Sequence, residues 1–276
     1  MENQLITSLS NPLVKRARAL HQKKVRLESG LFLVEGIHLV GEAVEAGWDM
    51  DSVLYAPDLL KSHFARDLLD RLAVSSSLPS APSTMTSRPV LQPVTAEVMD
   101  SLTNKDNPQG ILAIVHQKKS ELADLQAFRS GVALVSPQDP GNVGTILRTM
   151  DAVGAEVLFL LDGGVDLYHS SVVRASMGTL FWIPVVQTSF DEFDNWARGS
   201  GPEGIQLIGT SAHADVDYHT LVPQIPWVLV LGNEQKGLTA EQTKACDVTI
   251  SLPMKGRVSS LNLSVAAGVL LYTLNT

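Results

Sequence analysis

Three segments carry residues whose types and spacing could do chemistry. The first is Ser136-Pro-Gln-Asp-Pro-Gly-Asn142-Val-Gly144-Thr-Ile-Leu-Arg148. An apolar run ends in a Pro/Gly turn, and Asn142 offers a side-chain oxygen to cap the helix that follows. Gly144 and Arg148 are four apart and share a face of that helix. The glycine lets a backbone or ligand approach. The arginine is a planar, permanently charged fork suited to phosphate. The second segment, Leu229-Val-Leu-Gly232-Asn-Glu234-Gln-Lys-Gly237, runs an apolar strand into a loop with two glycines around one carboxylate. Such a loop can present backbone groups to a ligand while Glu234 orients a neighbour. The third, Ile250-Ser-Leu-Pro253-Met254-Lys-Gly-Arg-Val-Ser-Ser260-Leu261-Asn262, leads into a helix with a small face of Ser264, Ala267 and Gly268. Ser260 and Asn262 stand where side-chain oxygens cap free N–H groups. Taken singly, each segment is also readable as structure alone: a capped helix with a surface arginine, a strand–helix turn, and a helix start with close packing in the core or between subunits.

These segments need strands and helices to place them. Asn11 and Pro12 read as cap and first residue of a helix, with Leu13, Ala17 and Leu20 at helical spacing. Apolar runs predict strands at 31–34, 52–55 and 110–115, with helices at about 37–46, 59–72 and 96–102. The Ser- and Pro-rich stretch 75–93 reads as a loop. Beyond the polar stretch 117–128 the alternation is regular. Strands are expected at 132–136, 157–161, 183–186, 206–209, 227–231 and 248–252, and helices at about 143–153, 171–177, 190–198, 239–245 and 262–273. Strand–helix alternation with apolar strands predicts a mainly parallel sheet covered on both faces. Ligands in such sheets sit beyond the strand C-termini.

Composition narrows the classes. The chain has 276 residues, 45% of them apolar and 18% charged, which excludes wholesale disorder. A single cysteine, Cys246, excludes an internal disulfide framework and a Cys-rich zinc site. The seven histidines show no clustered ligand spacing, so no metal is expected. Neither a membrane-length apolar run nor an apolar leader is present, and the expected location is cytoplasmic. The net charge of −8 hides an uneven distribution: residues 1–30 carry +4, 31–119 carry −4 and 120–276 carry −8. The basic arm 11–26 holds Lys15, Arg16, Arg18, Lys23, Lys24 and Arg26. It reads either as a solvated helix or as a phosphate-contacting surface. Neither a G-x-x-x-x-G-K-[ST] nor a G-x-G-x-x-G fingerprint occurs, which weakens a nucleotide-oxidoreductase reading.

In order and placement, Asn142-x-Gly144-x-x-x-Arg148, Gly232-Asn-Glu234-x-x-Gly237 and Pro253-Met-x-Gly-x-x-x-Ser-Leu-Asn262 resemble the three motifs of the SpoU-type (TrmH-like) RNA ribose 2′-O-methyltransferases of the SPOUT superfamily. Phe32-Leu-Val-Glu-Gly36-Ile-His-Leu-Val-Gly-Glu-Ala-Val44 and Pro108-Gln-Gly110-Ile-Leu-Ala-Ile-Val115 resemble the opening and closing strands of that family's N-terminal RNA-binding domain. The resemblance implies a C-terminal parallel sheet with a trefoil knot over 129–276, a small α/β/α RNA-binding domain over 1–116, and a linker at 117–128. It implies S-adenosylmethionine held by Thr210, Ser211, Leu231, Gly232, Gly237, Ile250, Pro253, Met254, Ser260 and Leu261. Arg148, Asn142, Glu234, Ser260 and Asn262 become the expected catalytic group. Arg174, in Val173-Arg-Ala-Ser176-Met-Gly178, matches a further family stretch and becomes an expected RNA or partner contact, against a structural ion pair. A homodimer is implied, as is ribosomal RNA as substrate ahead of transfer RNA. A non-catalytic RNA-binding or ribosome-assembly protein on the same scaffold is the competing reading. One departure stands out: Gln235 occupies a position where the family usually has glycine. Gly163-Gly164 reads as a simple turn, and His169 as a satisfied loop histidine.

Overall fold

The computed structural model of the chain describes residues 4–74, 89–103, 109–125, 127–211 and 214–275. The chain divides into two units. One runs to Lys118 and takes in Tyr168–Arg174; the other comprises Lys119–Leu167 and the chain from Ala175 onward. Residues 168–174, expected within the 129–276 span, therefore group with the first unit.

In the first unit the order is α1 (Pro12–Ala19), α2 (Lys23–Ser29), β1 (Leu31–Glu35), α3 (Ile37–Glu45), β2 (Met50–Tyr55), α4 (His63–Val74), β3 (Val90–Pro93), α5 (Ala96–Asp100) and β4 (Ile111–His116). The sheet runs β1-β4-β2-β3, antiparallel except for β2 with β3. Helix α1 starts as its sequence dictates: Asn11 Oδ1 accepts from the Leu13 N–H at 2.9 Å, and Pro12 is the first helical residue. Val14, Ala17 and Leu20 join Leu31, Leu33, Val98, Met99 and Ile114 in one core cluster. Val14 thus takes the buried position expected of Leu13, which is only partly buried. Helix α2 carries no apolar repeat and ends at Gly30, held at φ 66°. A loop was expected at 75–93; residues 75–88 lie outside the described residues, but Val90–Pro93 form β3 beside β2. Pro93 ends that strand, where a missing N–H is tolerated. Pro108 of the closing segment also lies outside the described residues.

The second unit contains β5 (Ser130–Val135), α6 (Pro140–Val153), β6 (Val157–Leu161), the last residue of α7 (Ser170–Ala175), β7 (Val185–Thr188), α8 (Phe190–Arg198), β8 (Gln206–Thr210), β9 (Val216–Asp217), β10 (Trp227–Leu231), α9 (Ala240–Ala245), β11 (Val248–Ser251) and α10 (Leu263–Leu274). Its seven-stranded sheet has the order β7-β6-β5-β10-β8-β11-β9, and every pairing is parallel. Strands β5, β6 and β10 are buried throughout. Ala133, Val135, Phe159, Leu161 and Val230 join Phe193 and Trp196 of α8 in the core, where the Phe159 ring lies 4.7 Å from Phe193 and 5.6 Å from Trp196. The alternate residues Val132, Leu134, Leu158, Leu160 and Leu229 point the other way and are equally buried. Helix α10 packs on β10 and along α6, with Thr149 Cγ2 4.0 Å from where a Cβ on Gly268 would lie. The small face of α10 thus serves helix packing within the chain. Strands β5, β10, β8 and β11 are neighbours, so the segments that follow them leave from one edge of the sheet.

Candidate active site

The first segment leaves β5 and turns into α6. Asn142 was expected to cap this helix, but the cap is Asp139, whose Oδ1 accepts from the Gly141 N–H at 2.6 Å and the Asn142 N–H at 3.3 Å. Pro140 supplies the reason, since proline favours the first helical position and places the cap one residue earlier. Asn142 is thereby drawn into the first turn and buried. Its side chain is free for another role.

That role is to join the three motifs. Asn262 caps α10, its Oδ1 accepting from the Ser264 N–H at 2.9 Å and the Ser264 hydroxyl at 2.7 Å. Its amide group must therefore face away, and it donates to Asn142 Oδ1 at 3.0 Å. Asn142 Nδ2 in turn points at Glu234 Oε1, 3.4 Å away. A carboxylate only accepts, so the polarity of the whole chain is fixed from both ends. Glu234 also receives the N–H of Gln138, at 3.2 and 3.1 Å to its two oxygens, and that of Asp139 at 3.3 Å. The turn before α6, the loop after β10 and the start of α10 are thus held by one carboxylate and two amides.

Asn233, which sequence reasoning passed over, completes the join. Its Nδ2 donates to the Ser136 carbonyl at 2.9 Å, while its Oδ1 accepts from the N–H groups of Gln235 and Lys236. The Gly-Asn-Glu sequence after a strand was the available signal, because asparagine favours such local turns. Gly232 is required on steric grounds: a Cβ there would lie 2.2 Å from Gly237 C and 2.3 Å from Leu238 N. The Gly237 N–H closes the loop onto the Asn233 carbonyl at 2.8 Å. Gln235 is exposed and has no positive φ, so the loop accommodates a side chain where the family usually has none. The Gly163-Gly164 pair is more than a simple turn. A Cβ on Gly164, at φ +101°, would lie 2.3 Å from the Pro137 carbonyl oxygen, so this turn and the first motif are in close main-chain contact.

Arg148 lies six residues beyond Asn142, about 9 Å along α6 and about a third of a turn around it. It is exposed and makes no hydrogen bond or ion pair among the described residues. Around the expected cofactor positions, Thr210 Oγ1 donates to the Val230 carbonyl at 3.2 Å and the Ser211 N–H to the Ile250 carbonyl at 3.0 Å. Leu231 and Ile250 bury their side chains in the sheet, leaving main-chain groups at its edge. Pro253, Ser260 and Leu261 are exposed and Met254 half-buried, in the stretch between β11 and α10.

The six basic residues of the arm have different surroundings. Lys15, Lys23 and Lys24 are exposed, with Lys24 3.8 Å from Glu28. Arg16 pairs with Asp51, and Arg18 donates to Ser101 Oγ at 3.0 Å. Arg26 corrects the expectation of a phosphate contact: it is only 4% exposed and donates to the carbonyls of Leu20 at 2.7 Å and His21 at 2.9 Å. Those carbonyls end α1, so this cation is used in closing a helix. Arg174 is half-buried within the first unit, lining a small cavity with His21, Glu35 and Ser170. His169 Nδ1 accepts from the Ser171 N–H at 3.2 Å. Among the described residues, no group of three or more His, Cys, Asp or Glu side chains is placed to hold a metal.

Residues 130–272 match the model of the SpoU rRNA Methylase family, and residues 11–113 match that of an MRM3-like substrate binding domain. The chain is 30% identical over 98% of both lengths to a 23S rRNA (guanosine(2553)-2′-O)-methyltransferase, RlmP, of Bacillus subtilis. It is 32% identical to a 23S rRNA (uridine(2479)-2′-O)-methyltransferase of Streptomyces viridochromogenes, over 97% of this chain and 90% of that one. Among solved structures, an AdoMet-bound rRNA methyltransferase from Sinorhizobium meliloti superposes with a TM-score of 0.85 at 34% identity, over 98% of this chain and 97% of that one.

Proposed function

The chain belongs to the SpoU rRNA methylase family, and from that membership we propose that it transfers the methyl group of S-adenosylmethionine to a ribose 2′-hydroxyl of ribosomal RNA. The observation that carries the reading is the hydrogen-bonded chain Glu234–Asn142–Asn262, which brings the three motifs together at the foot of the helix that presents Arg148. The ribosomal substrate is supported by relatives that match nearly the whole chain and are named for 23S rRNA.

S-adenosylmethionine supplies a methyl group activated on a sulfonium. The residues present suit it: main-chain groups at the ends of β8, β10 and β11, and the mixed polar and apolar side chains of Met254, Ser260 and Leu261 in the stretch that follows β11. The attacking 2′-oxygen must lose its proton as the new bond forms. A guanidinium acts as a charge rather than as a base, and that is the role of Arg148. It grips the adjacent phosphate and stabilises the developing alkoxide, while the phosphate or solvent takes the proton. Glu234, Asn142 and Asn262 hold the loops around it.

Lys15, Lys23 and Lys24 contribute the exposed charge of an RNA-binding first unit, and Arg174 adds a cation to it. The C-terminal stretch is read as the knotted segment of the superfamily. The enzyme works as a homodimer: Val265, Val269 and Tyr272 form an exposed apolar stripe at i, i+4 and i+7 of α10, suited to a second copy.

Mapping of 2′-O-methylation in ribosomal RNA from cells with and without the protein tests the reading. One ribose is expected to lose its methyl group. Identical maps would remove the ribosomal assignment, and methylation of transfer RNA alone by the purified protein would move the substrate there.

A further inference from the structure

The segment that follows α7 presents two apolar side chains to solvent. Trp182 is 53% exposed and Met177 47% exposed. Between them Thr179, Leu180 and Phe181 are buried in a 3-10 turn that packs against α6. This presentation is built. Met177 holds φ at +52°, a conformation that disfavours side chains other than the smallest, and Gly178 follows at +99°. The N–H groups of Trp182 and Ile183 both donate to the Thr179 carbonyl, at 3.0 and 3.1 Å. The backbone on each side of the exposed ring is therefore fixed.

The turn's position on α6 bears on what the ring meets. One flank of α6 is taken by α10, through Asn142 and Thr149. Val143, Ile146, Leu147 and Met150 are buried. Helical geometry leaves the other flank, that of Gly144 and Arg148, for the neighbouring 3-10 turn. The turn that carries the exposed indole thus packs on the helix that carries Arg148, an exposed cation without a partner among the described residues.

We propose that Trp182, backed by Met177, is a stacking platform for an unpaired RNA base next to the methylated nucleotide. The inference rests on the RNA-methyltransferase reading above. A ribose held for in-line attack has its nucleotide drawn out of regular stacking, and an unstacked base is recognised by aromatic faces beside cations that grip its phosphate. Trp182 therefore contributes affinity and position for RNA, and takes no part in the transfer itself.

The other three tryptophans, Trp48, Trp196 and Trp227, are buried, so Trp182 dominates quenching from solvent. Fluorescence of the full-length protein is titrated with fragments of a 23S ribosomal RNA transcript. Methyl transfer to the same RNA is followed in parallel. Base stacking of alanine-sensitive aromatics predicts a rise in KM for RNA of roughly 5- to 100-fold in Trp182→Ala. Affinity for S-adenosylmethionine and Tm stay near wild type. Trp182→Phe keeps most of the RNA affinity but loses the RNA-induced quenching. If the wild type methylates RNA while Trp182→Ala leaves KM and quenching unchanged, the platform is refuted. A Trp182→Ala protein that becomes monomeric by light scattering refutes it in favour of a subunit contact. RNA-induced quenching without any methyl transfer would support the platform and overturn the enzymatic reading instead.

Discussion

The strand ends of the second unit and the basic arm of the first assign function to side chains in opposite ways. At the strand ends, residues 92 and 120 positions apart are joined by side-chain hydrogen bonds whose direction is set by a carboxylate at one end and a helix cap at the other. In the arm, six basic residues within twelve positions of one another divide among solvent, an ion pair, a serine and a buried helix end. Residue type determined the outcome in the first region, because Asn and Glu have few ways to satisfy each other. In the second it did not, because a guanidinium serves phosphates and carbonyls equally well.

The contrast is most easily broken at Arg148. Arg148→Ala should lower methyl transfer about a thousand-fold, as expected for loss of a preorganised charge at a developing anion, while calorimetry finds cofactor affinity within a few-fold of wild type. Substantial remaining turnover would remove Arg148 from the reaction. Next in size is Glu234→Gln, which sets an amide against the N–H groups of Gln138 and Asp139. A loss of about 1–3 kcal/mol in denaturant unfolding is expected, as for a charged acceptor removed from its donors. A double-mutant cycle of Asn142→Ala and Asn262→Ala should yield a coupling of about 1 kcal/mol, and additivity would show the join to be incidental.

The arm divides further under substitution. Arg26→Ala should destabilise the protein by about 2 kcal/mol by leaving the end of α1 unsatisfied, with no change in the salt dependence of RNA binding. Replacing Lys15, Lys23 and Lys24 by alanine should do the reverse, reducing the salt slope by about 2 at constant Tm. If both variants alter the slope alike, the separation of the two roles is wrong. The smallest effect is expected at Cys246. Burial pushes its thiol up to about 12, so the protonated form persists throughout pH 6–9. Reaction with a disulfide reagent at pH 8 should be slow and insensitive to pH over that range, unlike that of a free thiol with a pKa of ~8.5.

Much of the fold was legible because its central strands are continuous apolar runs bounded by turn residues, as in 157–161 and 227–231. What was missed lacked that contrast. Strand β3 ends in proline within a Ser/Pro-rich stretch, β9 is two residues long, and α2 has no apolar repeat. The site residues could be picked out by motif, but their bonding could not. The displacement of the cap to Asp139 freed Asn142, and no spacing rule foretold that it would meet Asn262. Likewise, the burial of Arg26 depends on where α1 ends, which its own charge does not reveal.

Residues 168–174 give the chain a further property. Tyr168 lies with its ring 4.5 Å from Phe32 and 6.4 Å from Trp48, and its hydroxyl donates to the Lys118 carbonyl. The core of the first unit is therefore completed by a segment encoded inside the second. The two units are not separable cassettes. In this chain, a recombination that exchanged everything before residue 118 would bring in a new core and leave the old plug, so residues 168–174 would have to travel with the first unit.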